Sequence, residues 1–110
     1  MVVDQLSETE IDRLFQALAD VTRRDIVRRV TVEEYSVSGL AGLYAMSFAA
    51  VQKHVAVLER ATLVTKEKRG REQIVRGNHE GLQKARQLLD EYEAIWRQRF
   101  DRIADILAEG

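Results

Sequence analysis

Gln52 and Lys53 stand side by side shortly after Ser47, and Arg69 and Arg71 flank Gly70 further along the chain. These residue types can bind nucleic acid. A glutamine amide can pair bidentately with adenine, and a lysine can donate to guanine or to a phosphate oxygen. Long cations on either side of a glycine can reach a groove or the backbone beside it. The plainer alternative is a solvated helix face and a hairpin tip kept soluble by charge. The elements around these residues decide between the two.

Ser47 to Arg60 has the pattern of a capped helix. Ser47 is a good N-cap, and Val51, Val55 and Leu58 recur at helical spacing as a buried stripe. Ala49, Gln52, Lys53 and Ala56 fall toward the opposite side, where small and polar residues let a helix approach base edges. Two short strands follow, Leu63–Lys68 and Gln73–Arg76, joined by the basic turn Arg69-Gly70-Arg71-Glu72. A helix followed at once by a basic hairpin is the layout of a winged helix, which sets the helix in the major groove and the hairpin beside it. The expected reader is thus the helix 48–61 with the wing 63–76. Its candidate contacts are Ser47, Ala49, Gln52, Lys53, His54, Lys68, Arg69 and Arg71. For Ser47, capping and phosphate contact are compatible. His54 has two readings: a phosphate contact, or a half-buried ring against the short preceding helix.

Charge is distributed in support of this. The 110-residue chain carries a net charge of −1. Residues 45–77, however, hold seven Lys/Arg against three Asp/Glu, while both flanks are acidic on balance. The local field governs DNA affinity, and here the basic excess coincides with the structural pattern.

Elsewhere, Ser7-Glu8-Thr9-Glu10 has the form of a capping box, so a helix should start near Glu8 with Ile11, Leu14, Phe15 and Leu18 on one face. Asp20 can cap a second helix from Val21 to about Arg29, with Ile26, Val27 and Val30 inward. Thr31 to Tyr35 reads as a turn and Ser36-Val37 as a short strand. Ser38 reads as the cap of a brief helix bearing Leu40, Ala41 and Leu43. After Asn78 the last helix should run from about 80 to 108. Its stripe is Leu82, Ala85, Leu89, Tyr92, Trp96, Phe100, Ile103 and Leu107, in steps of three and four. At 1.5 Å per residue such a helix spans about 42 Å, whereas a compact 100-residue domain has a radius of gyration of about 13 Å. The stripe is too long for its own domain and calls for a second chain. The expected homodimer interface joins the N-terminal and C-terminal helices through Leu14, Leu89, Tyr92, Trp96, Phe100, Ile103 and Leu107. Trp96 reads as interface core rather than as a ligand-stacking residue. Arg23 and Arg24 read as surface ion pairs, with phosphate contact the minority reading.

The expected architecture is a single domain over residues 1–110. It is mainly α with a small β-hairpin: a winged helix-turn-helix of about five helices and a two- to three-stranded wing sheet. Composition agrees, with 45% apolar and 32% charged residues. There are no cysteines, no Gly-rich phosphate loop and no Ser/His/Asp set, so no enzyme is expected. No apolar run approaches a membrane span and no signal peptide is evident, so a cytoplasmic protein without a membrane partner is expected.

Four segments resemble one family. Ala17-Leu18-Ala19-Asp20-Val21-Thr22-Arg23-Arg24-Asp25-Ile26-Val27 is similar to the A-L-A-D-P-T-R-R-x-I-L opening of ArsR-family winged-helix repressors. Ser47 to Leu58 resembles that family's recognition helix, S-x-x-x-V-S-x-H-L-K-V-L. Ala61-Thr62-Leu63-Val64 resembles its A-G-L-V exit, and Gly70-Arg71-Glu72 its wing tip. The resemblance covers about residues 10–108. It implies a dimeric repressor with the first and last helices at the dimer interface, reading an operator of two half-sites on double-stranded DNA. Ser47, Gln52, Lys53 and His54 inherit the recognition-helix role, and Arg69 and Arg71 the wing role. The chain departs from the pattern at three points. Val21 replaces a proline, Ala56 stands where a lysine is frequent, and Thr62 replaces the helix-ending glycine, so that exit must be less relaxed. Many family members sense metals. The thiolate type needs cysteines, of which there are none. The dimer-helix type needs histidines and carboxylates in the last helix, yet the two histidines, His54 and His79, lie outside its body. No metal and no cofactor is expected. A small-molecule effector, the operator, and repression against activation are not legible. The alternative function is a winged-helix interaction module that does not read DNA.

Overall fold

The computed structural model describes residues 6–109. Five helices and three strands follow in the order α1 (Glu8–Leu18), α2 (Val21–Val32), β1 (Tyr35–Ser36), α3 (Val37–Ala41), α4 (Phe48–Arg60), β2 (Val64–Arg69), β3 (Glu72–Gly77) and α5 (His79–Glu109). The sheet is antiparallel with order β1-β3-β2. Its register pairs Tyr35 with Val75, and Val64 with Gly77 through to Arg69 with Glu72.

The helix starts follow from side-chain chemistry. Ser7 and Glu10 form a reciprocal capping box on α1. Asp20 accepts from Thr22 N at 2.7 Å and so opens α2. Ser47 accepts from Ala50 N at 3.1 Å and opens α4. Each satisfies an orphan N–H of the first turn. Behind them lies one core, whose fully buried members include Ile26, Leu40, Val51, Val55, Leu58, Leu63, Val64 and Val75. The Val51, Val55 and Leu58 stripe of α4 is 0% exposed throughout.

Three sequence-based expectations are corrected. Helix α2 continues to Val32 rather than stopping near Arg29. No Gly or Pro breaks it there, and the Thr31 hydroxyl donates back to Val27 O within the helix. The short strand is Tyr35–Ser36, not Ser36-Val37, and the cap of α3 is Ser36, not Ser38. Val37 is buried in the first turn of α3, which leaves Ser36 both to pair with Ile74 and to accept from Gly39 N.

The turn before α4 is tied down by a polar knot. Tyr44 OH and the guanidinium groups of Arg28 and Arg29 all donate to Asp25. The Tyr44 and Arg29 bonds hold the Asp25 carboxyl at about 2, and burial with the Asp25 contact pushes the Tyr44 phenol up to about 12. The knot fixes the segment that delivers Ser47 to the start of α4.

Helix α4 ends under strain. Leu63 N donates to Leu58 O and Thr62 N to Glu59 O, the bond pair of a Schellman motif. This places Thr62 at φ 60°, the one left-handed non-glycine residue among those described. A β-branched residue is poorly suited to that region, which costs about 1–2 kcal/mol relative to a relaxed backbone. Thr62→Gly should therefore stabilise the protein by about 1 kcal/mol after the larger unfolded-state freedom of glycine is counted. The expected rise in melting temperature is about 4–8 °C at fixed protein concentration. A melt showing no rise, or a fall, would show that the Thr62 hydroxyl bond to Ala61 O outweighs the strain.

Helix α5 leaves the body. Its Gly81 and Leu88 are buried, but every described residue from Leu89 onward is exposed. The radius of gyration is accordingly 18.4 Å and the long dimension 68 Å, against about 13 Å for a compact chain of this size.

Candidate nucleic-acid interface

Burial of Val51, Val55 and Leu58 turns the opposite side of α4 outward. Ala49, Gln52 and Lys53 are exposed there, beside the exposed N-cap Ser47. The flank bearing Glu59 faces the wing, where Lys66 Nζ lies 3.8 Å from Glu59 Oε1. The other flank faces α1 and α2. His54 sits on it, with Nδ1 3.2 Å from Arg23 Nη1 and 3.9 Å from Asp20 Oδ2. Of the two readings of His54, the half-buried one describes its placement, with a 20% exposed side chain. Its polar neighbours, Arg23 and Asp20, lie at the corner between α1 and α2.

Arg23 and Arg24 are not simple surface ion pairs. Arg23 Nε donates to Ala17 O and Nη2 to Gln16 O, both at 2.8 Å, and Arg24 Nη1 donates to Leu18 O at 2.7 Å. They bond the last carbonyls of α1, of which Gln16 O also accepts from Ala19 N. A 3.8 Å approach of Arg23 to Asp20 adds to this.

At the wing, Gly70 has φ 64° and the following Arg71 does not, the pattern of a type II′ hairpin turn. A side chain at 70 would have open space but a strained backbone. Lys68 and Arg71 are exposed, and among the described residues neither makes an ion pair. Arg69 differs. Its Nη1 donates to Glu34 and its Nη2 to Glu67, each at 2.7 Å, and Arg76 also reaches Glu67 at 2.9 Å. The Arg69 contacts draw the Glu34 and Glu67 carboxyls below their usual range and raise Arg69. Among the described residues the wing's exposed cations without an ion pair are therefore Lys68 and Arg71.

The second expected surface also divides. Leu14 is 5% exposed and belongs to the chain's own core. It has almost no surface to offer another chain, because α1 turns Leu14 and Ala17 inward and leaves Phe15 outside. Leu89, Tyr92, Trp96, Phe100, Ile103 and Leu107 are all exposed, with the Trp96 and Phe100 rings 6.4 Å apart.

Among the described residues there is no group of three or more His, Cys, Asp or Glu placed to hold a metal ion. The same residues include no helix long and apolar enough to cross a membrane.

A capped helix presented outward beside a three-stranded wing defines the winged helix-turn-helix class. Comparisons place the chain within that class. An HTH-type transcriptional regulator of Mycobacterium tuberculosis is 38% identical over 90% of this chain and 91% of its own length. An ArsR-like transcriptional regulator from Rhodococcus superposes with a TM-score of 0.81 at 31% identity, covering 93% of this chain and 94% of the other. An ArsR family transcriptional regulator gives 0.77 at 28% identity, covering 84% and 96%. No known family model matches the chain. The chain belongs to the ArsR family of transcriptional regulators.

Proposed function

We propose that the protein is a homodimeric, sequence-specific DNA-binding repressor acting in the cytoplasm. In this reading it binds a pseudo-palindromic operator through α4 and the wing and has no enzymatic activity. The observation that carries this reading is the outward face of α4. It presents Ala49, Gln52 and Lys53 on a helix whose other side is locked into the core. Ala49 leaves room for close approach, Gln52 and Lys53 supply base-edge donors and acceptors, and Ser47 at the cap is placed for a phosphate. Lys68 and Arg71 supply the wing charge. Arg69, held by Glu34 and Glu67, serves to brace the wing, and His54 to seat α4 on the corner between α1 and α2.

This division of labour is testable. Gln52→Ala should cost about 1–3 kcal/mol on the preferred operator and much less on random duplex, relaxing specificity. Arg71→Ala should weaken both duplexes similarly and reduce the salt slope by about 1 for each phosphate it no longer neutralises. The operator comes from selection of bound sequences out of random duplex DNA, and titrations across a salt series read both variants. Equal losses on both duplexes for Gln52→Ala would show that it is not a base reader. A wild-type protein that selects no sequence and binds no duplex would return the fold to the interaction-module reading.

A further inference from the structure

Between α1 and α4 lies an open groove of about 530 Å³ lined by Arg13, Gln16, Arg23, Val57 and Arg60. Three arginines contribute to its lining, and no carboxylate residue does. Arg23 is spoken for: its donors cap α1 and meet His54, and Asp20 Oδ2 lies 3.8 Å from its Nη1. It stands as a fixed positive charge at the groove wall. Arg13 and Arg60 are exposed, and neither makes an ion pair among the described residues. Glu10 lies within the field of Arg13, but its carboxylate accepts from Ser7 N at 2.9 Å in the capping box of α1. Two cations without an ion-pair partner facing one groove repel, and an anion between Arg13 and Arg60 would relieve them.

The position of Arg60 says which anion. Lys53, Ala56 and Arg60 follow one another along the outward face of α4, opposite Val51, Val55 and Leu58. Seven residues of helix advance about 10 Å, and the major groove is about 12 Å wide. A helix that puts Lys53 among base edges therefore brings Arg60 out to the sugar-phosphate wall. Val57, turned toward α1, joins that face to the groove.

We propose that the groove between α1 and α4 clamps a DNA backbone phosphate between Arg13 and Arg60. Arg23 is the positioning residue that closes the groove's inner wall. This rests on the DNA-binding reading given above and adds a contact that neither α4's base readers nor the wing provides. Its role is register: a phosphate held at the far end of α4 fixes how deep and at what angle the helix lies, without reading sequence.

The test compares Arg13→Gln, Arg60→Gln and the double variant with a double Arg→Lys variant, on operator and on random duplex across a salt series. The double Gln variant should bind both duplexes about tenfold more weakly, as for removal of one charge-assisted hydrogen bond. Its salt slope should be shallower by about 1 for each phosphate left without its cation. The Lys variant should keep the wild-type slope. Wild-type affinity and slope in the double Gln variant would overturn the clamp while leaving the DNA reading intact, since the wild type binds in the same assay. Equal losses in the Gln and Lys variants, with a lowered melting temperature, would reduce both arginines to a structural role and also overturn it. A wild-type protein that binds neither duplex would remove the DNA reading and the clamp together.

Discussion

Gly81→Ala is expected to unfold or nearly unfold the protein. A methyl built on Gly81 would lie 1.7 Å from the Thr62 carbonyl oxygen and 2.7 Å from its carbonyl carbon. The obstacle is backbone, so no rotamer change relieves it. Thr62 itself is held by the Schellman bonds at the end of α4, and Asn78 N donates to Leu63 O just before α5 begins. The junction is thus pinned from both sides, and the only relief is to slide the first turn of α5 off the exit of α4. Overpacking of a well-filled site costs about 1–3 kcal/mol when side chains can yield, and more when they cannot. A loss above about 3 kcal/mol corresponds to a fall in melting temperature of at least about 12 °C. Thermal melts at fixed concentration, read by circular dichroism, check this. A variant melting within a few degrees of wild type would mean that the junction is looser than its geometry implies. The effect should reach function as well, because this contact sets the angle between the proposed reading helix and the proposed dimer helix.

This junction shows what the sequence could and could not convey. Helix α4 was legible because its information is local. Ser47 caps it, the Val51, Val55 and Leu58 stripe orients it, and its boundaries Phe48–Arg60 match the pattern. Thr62 was legible as a departure from the family glycine, and its φ of 60° is the consequence. Gly81 was not singled out, because nothing near it in sequence reports the Thr62 carbonyl. The choice between Ser36 and Ser38 as cap was equally invisible. Both can accept an N–H, and the decision comes from Tyr35 and Ser36 pairing with Val75 and Ile74. In the site, the exposed face of α4 followed from its buried stripe. The fate of Arg69 did not, since Glu34 lies 35 residues earlier and meets it through the sheet order β1-β3-β2. The Arg13, Arg23 and Arg60 groove was also missed. The spacing of Arg60 from Lys53 along one helix face was the available signal, but the partner arginines come from other helices.

Trp96→Asp is expected to separate the proposed dimer into monomers. The chain's own core ends at Leu88, and α5 continues to Glu109 with Leu89, Tyr92, Ile95, Trp96, Phe100, Ile103, Ile106 and Leu107 exposed. That is far more contiguous apolar surface than a solvated helix would carry. A second copy supplies the matching stripe by symmetry. Trp96 is 60% exposed in the single chain. Covering that share of a roughly 200 Å² side chain, at about 25 cal/mol per Å², is worth about 3 kcal/mol. Symmetry doubles this to about 6 kcal/mol, or roughly four decades in the dimer dissociation constant. A carboxylate placed there adds a desolvation cost. Because no core contact depends on Trp96, the body up to Leu88 should stay folded, so circular dichroism should retain most of the helix signal. Sedimentation at micromolar concentration should give a wild-type dimer and a variant monomer. Operator affinity should fall with it by about 10²–10⁴, since joining two half-site readers raises the effective concentration of the second. A wild-type monomer at that concentration, or a Trp96→Asp dimer of unchanged affinity, would remove α5 as the dimer helix. The exposed stripe would then need a different partner.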